Sequence, residues 1–151
     1  MSDADSAEYE PSSWDWVAEQ VAEYEASGGT RANTLMDTGI PIVVITMKGH
    51  KSGKIRKVPL MRVEHEGEYA LIGSKGGMPE HPHWVHNLDA DPNVSIQDGA
   101  EPRAFVAREV TGAVRDEWYE RGTAVYPPYA DYAVSAAAAD RVIRVWVASP
   151  T

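Results

Sequence analysis

The chain has 151 residues, enough for one compact domain and too few for two ordinary ones. It contains no cysteine, which excludes disulfide frameworks, thiolate zinc sites, iron–sulfur clusters and cysteine nucleophiles. The net charge of −9 makes nucleic acid a poor partner, yet the charge is uneven: residues 1–30 hold eight acids and no base, whereas positions 48–62 hold six bases and no acid. The longest apolar runs fall well short of the ~18 residues of a membrane span, and the N-terminus does not read as a signal peptide. A cytoplasmic protein without stable membrane insertion is expected.

Residues 1–10 read as a polar, acidic tail. A helix is predicted next, capped by Ser12 or Ser13 and ended by Ser27-Gly28-Gly29, with Trp14, Val17, Val21 and Tyr24 on the face that docks on the core. Residues 30–40 have no clear period and suit a loop that reaches over a site. From Pro41 the pattern turns to β. Ile42–Met47 is a β-branched run fit for a buried strand, and Lys57–Val63 a second strand that Pro59 confines to an edge or a bulge. Glu66-Gly67 marks a hairpin into a strand over Glu68–Gly73. After a flexible Ser74–Gly77 loop, a helix is expected over Pro79–Asp91, stopped by Pro92. Strands follow at Val94–Gln97 and Arg103–Thr111, then a helix at Val114–Val125, a tyrosine- and proline-rich loop at Tyr126–Tyr132, and a last strand at Val142–Val147. Hairpin-length turns join most strands, so the expected fold is an α+β antiparallel barrel with peripheral helices.

Four stretches carry the chemistry. In Gly49–Leu60, two glycines expose backbone amides while Lys51, Ser52 and Arg56 add donors, a combination suited to an anion. Ile72–Gly77 ends a strand with a hydroxyl, an ammonium and bare backbone. In His81–Asn87, three histidines occur, but only His83 and His86 approach one helix face without a carboxylate at ligand spacing, so no metal site is expected. Tyr126–Tyr132 offers three tyrosines stiffened by Pro127-Pro128. GxGxxG, GxxxxGK[ST] and GxSxG motifs are absent, which removes the usual dinucleotide, P-loop and hydrolase signatures.

Taken in order, these stretches resemble the deazaflavin-dependent nitroreductase and quinone reductase family. The chain reads Gly49-His50-Lys51-Ser52-Gly53…Arg56…Pro59-Leu60, then Ser74-Lys75-Gly76-Gly77, then Pro82-His83-Trp84-Val85-His86-Asn87-Leu88-Asp89-Ala90-Asp91-Pro92, then Tyr126-Pro127-Pro128-Tyr129-Ala130-Asp131-Tyr132. The resemblance implies a split β-barrel over residues 40–151, preceded by an acidic tail, helix and loop over 1–39. It also implies reduced coenzyme F-420, an 8-hydroxy-5-deazaflavin, delivering hydride to a small-molecule acceptor such as a quinone, nitroaromatic or unsaturated lactone.

In such a protein the basic turn holds the coenzyme's phosphate and glutamate carboxylates, which points to His50, Lys51, Ser52, Arg56 and Lys57. Val58, Pro59, Leu60 and Met61 continue that strand along the coenzyme. Ile72, Gly73, Ser74 and Lys75, with His83, Trp84, Val85, His86 and Asn87, border it elsewhere, and Tyr129 lies beside the deazaflavin. Tyr129 and Ser74 are the candidate proton donors. His50, Met61, His86 and Arg144 depart from residues frequent in the family, and the divergent first 39 residues correspond to the substrate side. The alternatives are the same barrel with flavin mononucleotide, or a coenzyme-binding protein without turnover.

Overall fold

The computed structural model describes residues 8–151. Seven strands form one curled sheet: β1 (Ile42–Lys48), β2 (Ile55–Met61), β3 (Glu64–His65), β4 (Glu68–Ile72), β5 (Asn93–Gln97), β6 (Pro102–Val110) and β7 (Val145–Pro150), in the spatial order β2-β1-β5-β6-β7-β4-β3. The ladders between them are antiparallel. Among the described residues, four α-helices pack around it: α1 (Asp15–Ala26), α2 (Trp84–Ala90), α3 (Gly112–Val125) and α4 (Pro128–Ala138). This is the expected barrel-like α+β architecture, half open and curled.

Alternation along the strands places two cores. On β1, Val43, Ile45 and Met47 face a cluster with Leu71, Trp84, Val85, Leu88 and Trp146, while Ile42 and Val44 face Val21 and Tyr24 of α1. Pro59 sits opposite Val44 in β2, and β2 is a sheet edge, where a proline costs no ladder bond. The β3–β4 turn puts both Glu66 and Gly67 at positive φ, 52° and 84°, as a two-residue hairpin with right-handed strands requires.

Several element bounds differ from expectation. β2 starts and ends two residues earlier than predicted, and β7 runs three residues later, leaving Val142 72% exposed. Helix α2 is shorter than its predicted span, because residues 79–83 reach it without helix, and Lys75–Gly77, expected as a flexible loop, forms a 3-10 turn. The largest correction concerns Tyr126–Tyr132, expected as a loop. Only Tyr126 and Pro127 link the helices; Pro128 opens α4, and Tyr129 and Tyr132 stand in its first turns. Proline's fixed φ suits a first helical turn, and the alanine-rich run behind it propagates the helix. The N-terminal tail prediction falls partly on residues 1–7, outside the described residues.

Candidate functional site

A cleft of about 310 Å³ opens where the β2 edge, the end of β4, the start of α2 and the first turn of α4 converge. Val58, Pro59, Leu60 and Met61 line it from β2; Ile72, Ser74 and Lys75 from the end of β4; Trp84 from α2; and Tyr129 from α4. All nine are candidate site residues by sequence. Their convergence has a local cause, since residues 58–61 form the half-buried margin of an edge strand and the chain must leave the sheet after Ile72.

The remaining sequence candidates take other places. Gly73 and Val85 support the cleft from behind: Gly73 N–H donates to the Arg144 carbonyl at 2.9 Å, and a Cβ on Gly73 would stand 3.1 Å from Val85 Cγ2. Val85 itself is fully buried. Asn87, also buried, joins the basic turn to α2. His83, just before α2, and His86 on it are exposed, and the His50 and His86 rings lie 5.6 Å apart. Groups of three or more metal-ligating side chains do not gather among the described residues.

The basic turn is tightly built. Gly49 N–H donates to the Lys54 carbonyl at 2.7 Å, Gly53 N–H to the Gly49 carbonyl at 2.9 Å, and Lys54 N–H to Ser52 Oγ at 3.1 Å. Its cations are unequal. Arg56 pairs with Glu10 at 3.3 Å, Lys54 with Glu8 at 3.6 Å and Lys57 with Glu25 at 2.5 Å, whereas Lys51 and Lys48 have no ion-pair partner among the described residues. By strand alternation Arg56 shares its face with Val58 and Leu60, which pack on the core beneath the cleft.

At the opposite wall Tyr129 is 4% exposed. Burial raises its hydroxyl pKa strongly, with Tyr119 adding to the rise and the neighbouring Ser74 hydroxyl pulling the other way. The hydroxyl is therefore a permanent O–H donor at neutral pH. Tyr119 Oη donates to the Tyr129 carbonyl, and the Tyr126 and Tyr132 hydroxyls lie 3.1 Å apart, so a tyrosine cluster fixes the ring. Gly122 of α3 makes room for it: a Cβ there would sit 2.6 Å from Ile72 Cδ1 and 3.3 Å from the Tyr129 ring.

Residues that sequence reasoning missed or misplaced complete the site. Trp14, expected on the buried face of α1, is 64% exposed and lines the cleft mouth with Trp16, their rings 6.1 Å apart. Helix α1 starts at Asp15, with Ser12 Oγ accepting the Trp14 N–H, so Trp14 falls before the first turn and off the docking face. Leu35, in the loop expected to reach over a site, and Gln20 and Pro82 also line the cleft. Arg141, buried between α4 and β7, holds the loop after β4. It donates to the carbonyls of Met78 at 2.9 Å, Gly73 at 3.0 Å and Ser74 at 2.6 Å. Its Nη1 also lies 3.1 Å from His81 Nδ1.

The family model described as F420H(2)-dependent quinone reductase matches residues 16–150. The chain belongs to that family. An F420H(2)-dependent quinone reductase of Mycobacterium tuberculosis is 33% identical over 70 residues, 46% of this chain and 47% of that protein. The match thus spans about half the length of that curated relative. A solved F420-H2 dependent reductase is 47% identical, covers 72% of this chain and 94% of its own, and superposes with a TM-score of 0.67. A second solved structure, described as a domain-swapped dimer, is 44% identical over 89% of this chain and 98% of its own, with a TM-score of 0.69.

Proposed function

We propose that this protein is a reductase that binds reduced coenzyme F-420 in the cleft and passes hydride to an electron-poor small molecule, a quinone first, with nitroaromatics and unsaturated lactones as further acceptors. The observation that carries the reading is the pairing of two walls. An apolar margin from Val58 to Met61 leads to the cations of the basic turn on one side, and a buried tyrosine O–H beside Ser74 closes the other. The donor set fits an acidic-tailed planar coenzyme: apolar faces for a ring, Lys51 and Arg56 for phosphate and carboxylates.

When bound, the coenzyme supplies the hydride, and the chain supplies binding, orientation and exclusion of water. Arg56 and Lys51 hold the acidic tail, and Val58, Leu60 and Trp84 pack the ring. Tyr129 and Ser74 present hydroxyl donors to an acceptor oxygen that gains negative charge, a task suited to a preorganised O–H in a dry site. Trp14 and Trp16 wall the acceptor side. Steady-state oxidation of the reduced coenzyme with menadione tests the activity. Separate titrations with coenzyme F-420 and flavin mononucleotide decide the coenzyme, and tight flavin binding with no deazaflavin binding overturns the proposal.

A further inference from the structure

Arg56, one of the cations that suit the coenzyme's acidic tail, and its neighbour Lys54 are held by the protein's own carboxylates. Residues 8–10 meet the outer edge of β2 at its first residue through a single parallel bridge, Tyr9 opposite Ile55: Ile55 N–H donates to the Glu8 carbonyl at 2.8 Å, and Glu10 N–H to the Ile55 carbonyl at 2.9 Å. This pairing fixes the side chains on either side of Tyr9. Glu10 Oε1 then lies 3.3 Å from Arg56 Nη1 and 3.5 Å from Ser52 Oγ, the donors singled out for an anion, and Glu8 lies 3.6 Å from Lys54. Tyr9, between them, sits with its ring 4.9 Å from Lys57 Nζ.

We propose that residues 8–10 are a built-in competitor for the anion cradle, displaced by ligands carrying several negative charges and not by uncharged ones. Main-chain pairing keeps Glu8 and Glu10 at high effective concentration beside the cations, so a single weak anion gains little by replacing them. A tail with a phosphate and glutamate carboxylates replaces both contacts at once and adds Lys51, which has no carboxylate partner among the described residues. The half-exposed ion pairs are weak enough to exchange, since Arg56 and Glu10 are 35% and 43% exposed and Lys54 and Glu8 are 44% and 76%. The segment thereby filters ligands by charge, which rests on the reading that this cradle holds the coenzyme tail.

The test uses the full chain and two probes: coenzyme F-420 with its phosphate and glutamates, and the same deazaflavin without them. Dissociation constants are measured by fluorescence titration for wild type, Glu10→Gln, the pair Glu8→Gln with Glu10→Gln, and Arg56→Ala. The amide variants remove the competing charge and keep the shape. The double variant should bind the tailed coenzyme about 2–30-fold more tightly, the range for two exposed ion pairs, and the tail-free one within about twofold of wild type. The gain should shrink as salt rises. If Arg56→Ala weakens the tailed coenzyme while both glutamine variants leave it unchanged or weaken it, the cradle stands and the competitor is overturned. If Arg56→Ala has no effect, the cradle reading itself fails. Equal tightening of both probes also overturns charge filtering. Glu10→Gln alone decides the question should the double variant fold poorly.

Discussion

Asn87 Oδ1 accepts the backbone N–H of His50 at 3.0 Å and lies 2.7 Å from His50 Nδ1. One buried amide thus ties the basic turn to α2 and sets the turn's distance from Trp84, three residues back on the same helix. Asn87→Ala leaves the His50 N–H without its partner and should lower stability by about 1–3 kcal/mol, read from the shift in urea midpoint. Asn87→Asp keeps the acceptor and should recover most of that loss. Equal loss in both variants would show that the amide nitrogen, and not the oxygen shared with His50, holds the joint.

Gly77 and Gly76 separate two demands on the same loop. Both have positive φ, 75° and 62°, yet a Cβ on Gly77 would meet Tyr132 Cα and O at 2.8 Å while one on Gly76 meets nothing within 4 Å. Alanine at 76 should cost about 1–2 kcal/mol of backbone strain. At 77 it must also push α4 away, bringing the total to about 2–5 kcal/mol, and because Tyr129 rides on α4 the variant should lose coenzyme affinity too. Thermal unfolding of the two single variants checks the difference.

The strands and the cleft margin were legible because their signals are local. Pro59 reads as an edge residue in any context, and Val58, Leu60 and Trp84 follow the alternation and helical spacing that decide burial. What stayed hidden depends on distant partners. Gly122 looks like a weak helix position until Ile72 and Tyr129 are seen against it, and Arg141 looks like a surface cation until the carbonyls of Gly73, Ser74 and Met78 close on its fork. Tyr129 stands out in the sequence but its helix does not, because two consecutive prolines read as a break although the second opens α4.

Tyr129→Phe keeps the ring among Tyr119, Tyr126 and Tyr132 and removes only the hydroxyl. Single-turnover oxidation of bound reduced coenzyme should slow by about 10–1000-fold, the upper end being that of an oxyanion donor, with affinity little changed. The hydroxyl's pKa is raised by burial above the ordinary 10.0, so wild-type turnover should hold its donor through neutral and mildly alkaline pH. The raised value also means that the unfolded chain releases this proton first, so the hydroxyl's contribution to stability is full below about pH 10 and declines above it. A rate within about twofold of wild type in the Phe variant would leave Tyr129 a packing residue only.

Arg141 and His81 give the loop an acid sensitivity. The guanidinium already spends its fork on the Gly73, Ser74 and Met78 carbonyls, and its Nη1 reaches His81 Nδ1, which can accept only while the imidazole is neutral. Burial, then Arg141 and Arg144, hold the His81 pKa below its ordinary 6.5, and Asp89 opposes them. Between 6.5 and the lowered folded value the unfolded chain binds a proton that the folded chain refuses, so stability should fall as pH drops through 6.5 and level off once folded His81 is protonated too. His81→Asn offers a neutral acceptor and should flatten that part of the curve between about pH 7 and pH 5, where histidine titrates. Arg141→Lys keeps the charge but not the planar fork, and should cost about 1.5–3 kcal/mol at all pH values while raising KM for the coenzyme more than it lowers kcat, because Ser74 and Lys75 lose their fixed placement. Urea unfolding of wild type and both variants across that range reads the slope directly, and a slope in His81→Asn equal to wild type would move the acid sensitivity to another group.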